Sequence, residues 1–157
     1  LAPMVVPVIV VAVALLLAFG PIGLVATHAG LIVAHAALGV PFVVVTVLAS
    51  LEGFDTVQLR AAAACGAGPV RGFFRVCLPQ IAPGVAAGAV FAFATSLDEV
   101  VVALFIAGRA QRTLPRQMFA GLNDSISLTT AAAATMLVGL SVVLLLVVAW
   151  LQRRGPR

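Results

Sequence analysis

Four long apolar stretches decide what this chain can become: residues 3–20, 27–49, 81–107 and 128–151. The first has no polar side chain between Pro3 and Phe19. The second is interrupted only by Thr27, His28, His35 and Thr46, the third by Thr95, Ser96, Asp98 and Glu99, and the fourth only by Thr and Ser. A bilayer core about 30 Å thick is crossed by roughly 20 mostly apolar residues in a helix. With 63% hydrophobic residues, 9% charged and a mean hydropathy of +1.23, the chain has too little polar surface to cover a soluble domain. The alternating strands of roughly 10 residues that build membrane barrels are absent, and in hydrocarbon only helices otherwise satisfy every backbone group. The expected fold is all-α: a polytopic transmembrane helical bundle, a single domain over residues 1–157, with four spans.

The chain enters its first apolar stretch at once, without an initiator Met and without a basic flank or small-residue cleavage site. The expectation is the later part of a longer membrane protein. All nine basic residues are Arg, and their placement gives orientation through the excess of positive charge on the cytoplasmic side. Arg60, Arg71 and Arg75 lie between spans two and three, and Arg153, Arg154 and Arg157 follow span four; Arg109, Arg112 and Arg116 lie between spans three and four. Six against three places the 50–80 loop and the C-terminus in the cytoplasm. The basic balance is thus a topology signal, and no soluble basic face for nucleic acid is visible.

The 50–80 loop is too structured for a linker. Asp55 is a good N-cap, with Gln58 three residues on and Phe54 placed to staple onto Leu59. The Ala-rich helix that follows is expected to stop at Gly66 with a positive φ. Gly68 and Pro69 begin a second helix, with Val70, Phe73, Phe74 and Cys77 on one face and Arg71 and Arg75 on the other. Leu78-Pro79 is expected to end it. Such a helix either lies on lipid headgroups or docks a cytoplasmic partner. Cys65 and Cys77, without a CxxC, are expected to be reduced structural thiols.

The stretch LRAAAACGAGPVRGFFRVCLPQIAPGVAAG resembles the cytoplasmic EAA loop of permease subunits in binding-protein-dependent ABC importers. Ala61, Ala62, Gly66, Leu78 and Pro79 match that family's pattern in type and spacing, and Arg60 stands where the family carries Glu, a reversal of charge. TSLDEVVVALFIAG, RTLPRQMF and AHAALGVPFVVVTVLASLEGFD resemble the polyamine (spermidine/putrescine) branch. The resemblance implies the last four of about six spans and a multi-pass location in the cell inner membrane. It further implies half of a solute pathway and a loop, 54–79, that docks an ATPase through Arg60, Ala61, Ala62, Gly66, Leu78 and Pro79. The implied partners are that cytoplasmic ATPase subunit, a second permease subunit in a homo- or heterodimer, a periplasmic or lipid-anchored solute-binding protein, and membrane lipid. The implied solute is a polyamine or another small cation.

Asp98 and Glu99 stand side by side in an apolar run. Counted from Pro83 at about 1.5 Å per residue, Asp98 falls about 22 Å along a helix crossing a core of about 30 Å, in the outer half of span three. A carboxylate there costs a few kcal/mol and faces a cavity or a partner. Adjacent residues point about 100° apart, so one of the pair is expected to line a pathway while the other pairs elsewhere or is protonated. Bonds to backbone or a partner helix, a route for a cation, an outer gate and a proton relay all remain open. Asp98, Glu99 and Ser96 are the candidate pathway residues. His28 and His35 sit two turns apart on one face and are expected to be packed and hydrogen-bonded. Arg109, Arg112 and Arg116 are expected to solvate an outer loop, where Pro115 starts a short helix bearing Leu114, Met118, Phe119 and Leu122; contact with a solute-binding protein is the functional alternative. No GxxxxGK[ST] loop is present, so ATP hydrolysis is expected on another chain. No nucleophile–base arrangement or metal-ligand cluster is apparent, and neither catalysis nor a cofactor is expected. The rival readings are an ion-coupled membrane carrier and a degenerate, non-transporting membrane fragment.

Overall fold

A computed structural model describes residues 6–124 and 128–154. Residues 3–5 of the expected first span and Arg157 of the tail lie outside the described residues, as do the side chains of Leu122, Arg153 and Arg154. The fold is all-α, with no strand among the described residues: α1 (Val8–Phe19), α2 (His28–Glu52), α3 (Val57–Ala64), α4 (Pro69–Gly72), a π-helical turn (Phe73–Cys77), α5 (Leu78–Asp98), α6 (Val101–Ile106), α7 (Leu114–Asp124) and α8 (Leu128–Arg154). Three stretches are long and apolar enough to cross a bilayer: His28–Glu52, Pro69–Asp98 and Leu128–Trp150. α1, with 12 residues, reaches only about 18 Å at 1.5 Å per residue, less than the thickness of a hydrocarbon core.

Two helix boundaries around the third span differ from the sequence expectation. Leu78-Pro79 does not end the second loop helix; α4, the π turn and α5 run on as one stretch of 30 residues. A proline at position 79 has no N–H to donate, and its ring crowds the carbonyl four residues back, at Arg75. The wide turn Phe73–Cys77, just before it, is where the helix takes up that misfit. The second difference is that residues 81–107 do not form one span. The helix stops at Asp98, Glu99 turns extended (φ −74°, ψ 115°), and α6 starts afresh at Val101.

The tightest packing lies between α2 and α5, which run antiparallel. A Cβ on Gly39 would stand 2.9 Å from the Ala92 Cβ, one on Gly88 2.8 Å from the Val43 Cα, and one on Gly84 2.9 Å from the Ser50 Cβ. Gly84, Gly88, Ala92 and Ser96 recur every four residues, a stripe of small side chains that lets two backbones approach in a membrane. Thr46 and Ser50 return their hydroxyls to carbonyls of their own helix, Phe42 and Thr46, so the seam exposes no unpaired hydroxyl from either. α8 packs against α5, and α1 lies on α6. There the core closes around Ala12, Phe19, Ala34, Leu38, Val102 and Ile106. Most other large apolar side chains, Leu17, Ile32 and Leu146 among them, face outward, as expected where the solvent is lipid or a neighbouring helix.

Candidate functional site

A cleft of about 700 Å³ opens along the α2–α5 seam and is bordered at one end by Thr113, Leu114 and Pro115 at the start of α7. Its walls are almost wholly apolar; the polar residues are His35, Ser96 and Thr113. The seam brings the first two together. His35 sits one turn before Gly39 on α2, and Ser96 one turn beyond Ala92 on α5, so the register set by the small residues places the His35 Nδ1 2.8 Å from the Ser96 Oγ. The His35 Nε2 and the Thr113 Oγ1 are buried with no hydrogen-bond partner among the described residues. Leaving such a group unpaired costs about 1–3 kcal/mol, and both belong to residues lining this cleft.

The paired carboxylates divide. The Glu99 Oε1 accepts the Val102 N–H at 2.7 Å, satisfying one of the orphan donors at the start of α6. Glu99 therefore does the work of a cap at the break between α5 and α6. Asp98, at the last position of α5, is exposed and makes no hydrogen bond or ion pair among the described residues. Of the three candidate pathway residues only Ser96 lines the cleft; Asp98 and Glu99 lie just beyond it.

The segment after α6 is tied down more firmly than a solvated loop. Gln111 is buried at 5% exposure. Its Oε1 accepts the Gly108 N–H at 2.9 Å, and its Nε2 stands 3.4 Å from the His28 Nδ1. Arg116, expected to solvate the loop, instead donates from Nη1 to the carbonyls of Gly108 (2.7 Å) and Gln111 (3.2 Å), which gives two loop carbonyls a charged donor. Arg109 and Arg112 remain exposed. The turn before α2 joins this region. The Ala26 N–H donates to the Ile106 carbonyl at 2.8 Å from a left-handed backbone (φ 57°). Thr27 caps α2, its Oγ1 accepting the Gly30 N–H at 3.0 Å and donating to the Leu24 carbonyl at 2.7 Å.

At the opposite end, α3 has no buried residue. The Asp55 Oδ1 accepts the Val57 N–H at 2.8 Å. Gln58 does not reach back as a capping box would; its Oε1 accepts from the Gln80 Nε2, linking α3 to the first turn of α5. Gly66 ends α3 at φ +84°. Its N–H donates to the Ala63 carbonyl at 2.9 Å, and the Ala67 N–H to the Ala62 carbonyl at 3.0 Å, the paired bonds of a Schellman stop. Beyond it Val70, Phe73 and Phe74 are exposed, while Gly72 and Cys77 are buried. Both cysteines are free thiols, Cys65 exposed and Cys77 buried. The apolar face of the second loop helix is therefore open at Val70, Phe73 and Phe74 and closed at Cys77, with Arg71 and Arg75 exposed beside it.

Sequence reasoning names His35 and Ser96 separately and misses their pairing, as it misses Gln111 and Thr113. A signal for the first is present, since small residues every four positions on one helix and His35-xxx-Gly39-xxx-Val43 on the other predict a close seam. Nothing local marks Gln111, whose contact with His28 spans 83 residues.

A bundle of long apolar helices, joined by an exposed two-helix loop at one end and a pinned loop at the other, is the architecture of a polytopic membrane component. The chain belongs to the family described as the binding-protein-dependent transport system inner membrane component, whose profile matches residues 1–155. The spermidine/putrescine transport system permease protein PotC of Escherichia coli (strain K12) is 37% identical over 140 residues, 89% of this chain and 53% of PotC. The PotC of Haemophilus influenzae is 34% identical over 149 residues, 95% of this chain and 58% of its own length. The putrescine transport system permease protein PotI of Escherichia coli (strain K12) is 33% identical over 144 residues, 88% of this chain and 51% of PotI. The chain spans about half the length of the curated relatives it matches.

Proposed function

We propose that this chain belongs to the transmembrane subunit of an ATP-driven importer, forms one half of its solute pathway, and takes its driving force from a separate ATPase docked on the 54–79 loop. The observation that carries the reading is mechanical. A single helical stretch, Pro69–Asp98, has the exposed loop residues Val70, Arg71 and Phe74 at one end and Ser96 in the cleft wall at the other. At about 1.5 Å per residue this rod is about 45 Å long, so a displacement of the loop moves the cleft wall with it. Close glycine packing keeps α2 and α5 in register, and a cleft wall with two unpaired polar atoms has hydrogen bonds to gain on rearranging.

The loop and the C-terminus face the cytoplasm, by the count of arginines on either side. A second permease subunit completes the pathway, and a solute-binding protein delivers to the outer face, where Arg109 and Arg112 are exposed. The solute is a small polycation, a polyamine by the naming of the relatives. Methylene-rich chains suit the apolar cleft, and Asp98, free of any partner among the described residues, supplies charge beside it. Within the loop, Ala62 and Gly66 hold the helix stop, and Arg60, Ala61, Leu78 and Pro79 complete the docking element. The test is Gly66→Leu. A side chain forced into the left-handed region costs roughly 1–2 kcal/mol, so the stop is lost while the spans are untouched. Co-purification of the ATPase with the full-length permease is expected to fail with membrane insertion unchanged; undiminished co-purification would remove the loop from the docking role.

A further inference from the structure

Two adjoining hollows mark the exposed loop. One, of about 360 Å³, lies between α3 and the α4–π segment and has Arg60 on its rim with Leu59 and Phe73. The other, of about 570 Å³, is bordered by Val70, Phe74, Arg71 and Arg75; Gly68 and Pro69 belong to both. Arg60, Arg71 and Arg75 are all exposed, and none makes a hydrogen bond or ion pair among the described residues. No carboxylate lines either hollow. The nearest in sequence, Asp55, accepts the Val57 N–H through Oδ1 and lines neither hollow. Val70 is 70% exposed and Phe74 59%, so the arginines frame an open apolar surface.

Resting on the docking role proposed above, we infer that the ATPase surface received here is acidic, with carboxylates opposite Arg60, Arg71 and Arg75 around an apolar contact that fills the hollows. A protein partner fits this surface better than lipid. A bilayer face is broad and yielding, whereas the smaller hollow is a cleft between two helices, lined by Leu59, Arg60 and Ala63 of α3 and by Pro69, Gly72, Phe73 and Cys77 of the next, and the larger continues it past Gly68 and Pro69 along the second helix to Arg71 and Arg75. Arg60 sits on α3 and Arg71 and Arg75 on the following helix, so a partner that satisfies all three must present acidic groups around a protruding apolar element. Charges on the rim of an interface govern the rate of association and its salt dependence more than the apolar contact does.

The experiment measures binding of the cognate ATPase to full-length permease in neutral detergent over a range of salt concentrations. Arg60→Lys, Arg60→Gln, Arg60→Glu and Gly66→Leu are compared with the parent chain. Arg60 is exposed, so its variants should insert and melt as the parent does, and Arg60→Lys, which keeps the charge, should bind nearly as well. Parent binding should weaken as salt rises. Arg60→Gln should flatten that response. Arg60→Glu should weaken low-salt binding about fivefold or more, because the rim pair is broken and two carboxylates then face each other. If Arg60→Glu binds like the parent with the same salt response while Gly66→Leu does not bind, the loop still docks the ATPase and the acidic partner surface is refuted. If neither change alters binding, the docking reading itself fails. If the charge variants affect association only in vesicles containing anionic phospholipid and not in detergent, the arginines serve the membrane surface and the inference is overturned.

Discussion

Gly88 is the position at which the α2–α5 seam is most easily tested. A methyl group there would stand 2.8 Å from the Val43 Cα, which is backbone, and 2.3 Å from the Thr46 Oγ1. The hydroxyl can rotate away, but the backbone cannot. Ordinary contact begins at 3.4 Å, so α2 and α5 must part by about 0.6 Å at this point, and the Gly39–Ala92 contact and the His35–Ser96 hydrogen bond further along must follow. Overpacking of this kind costs about 1–3 kcal/mol. Gly→Ala also brings the ordinary gain of replacing glycine within a helix, about 1 kcal/mol, which would mask part of the loss. Gly139→Ala supplies the correction, because Gly139 lies on α8 with nothing within 4 Å of its would-be Cβ. Thermal unfolding in detergent, followed by helical circular dichroism, should place Gly88→Ala below Gly139→Ala by about 1–3 kcal/mol. At about 2–4 °C per kcal/mol for a chain of this size, the midpoints should differ by at least a few degrees. Equal shifts for the two variants would refute the close seam.

Two further outcomes are expected. After replacement of Cys65 and Cys77, a cysteine at Gly68 should be protected from an impermeant thiol reagent in intact cells while one at the exposed Arg112 position reacts. Labelling of the Gly68 site from outside would invert the orientation. At the paired carboxylates, Glu99→Gln keeps an oxygen for the Val102 N–H and should fold normally, whereas Glu99→Ala should lose about 1 kcal/mol as capping losses do; Asp98→Asn should keep stability and lower uptake per folded complex, and unchanged uptake per complex would remove Asp98 from the pathway.

Much of the bundle is legible in the sequence because hydrocarbon leaves the backbone few choices. Apolar runs of span length must be helical, and Gly66 after an Ala-rich run had to be a stop. The boundaries that failed did so for reasons outside hydropathy. Residues 81–107 are uniformly apolar around Asp98 and Glu99, so nothing in the pattern separates α5 from α6; the break depends on where one carboxylate finds an N–H. Proline at position 79 reads as a terminator when every turn is taken to be α, and the π turn before it removes that assumption. In the site, the α2–α5 register is implicit in residues spaced by four, and it sets the His35–Ser96 pair. The burial of Gln111 and the capture of carbonyls by Arg116 depend on how three loops meet, which no local spacing encodes.

The central claim is that this chain moves a solute by coupling an ATPase at the loop to the cleft along the Pro69–Asp98 rod. Its most direct test is uptake of radiolabelled putrescine and spermidine into proteoliposomes holding the full-length permease, its partner subunit and its ATPase, with the solute-binding protein outside and ATP enclosed. Coupling through the rod predicts accumulation that requires enclosed ATP and is lost in Gly66→Leu. Accumulation driven by a proton or sodium gradient without ATP, or undiminished in Gly66→Leu, would contradict it.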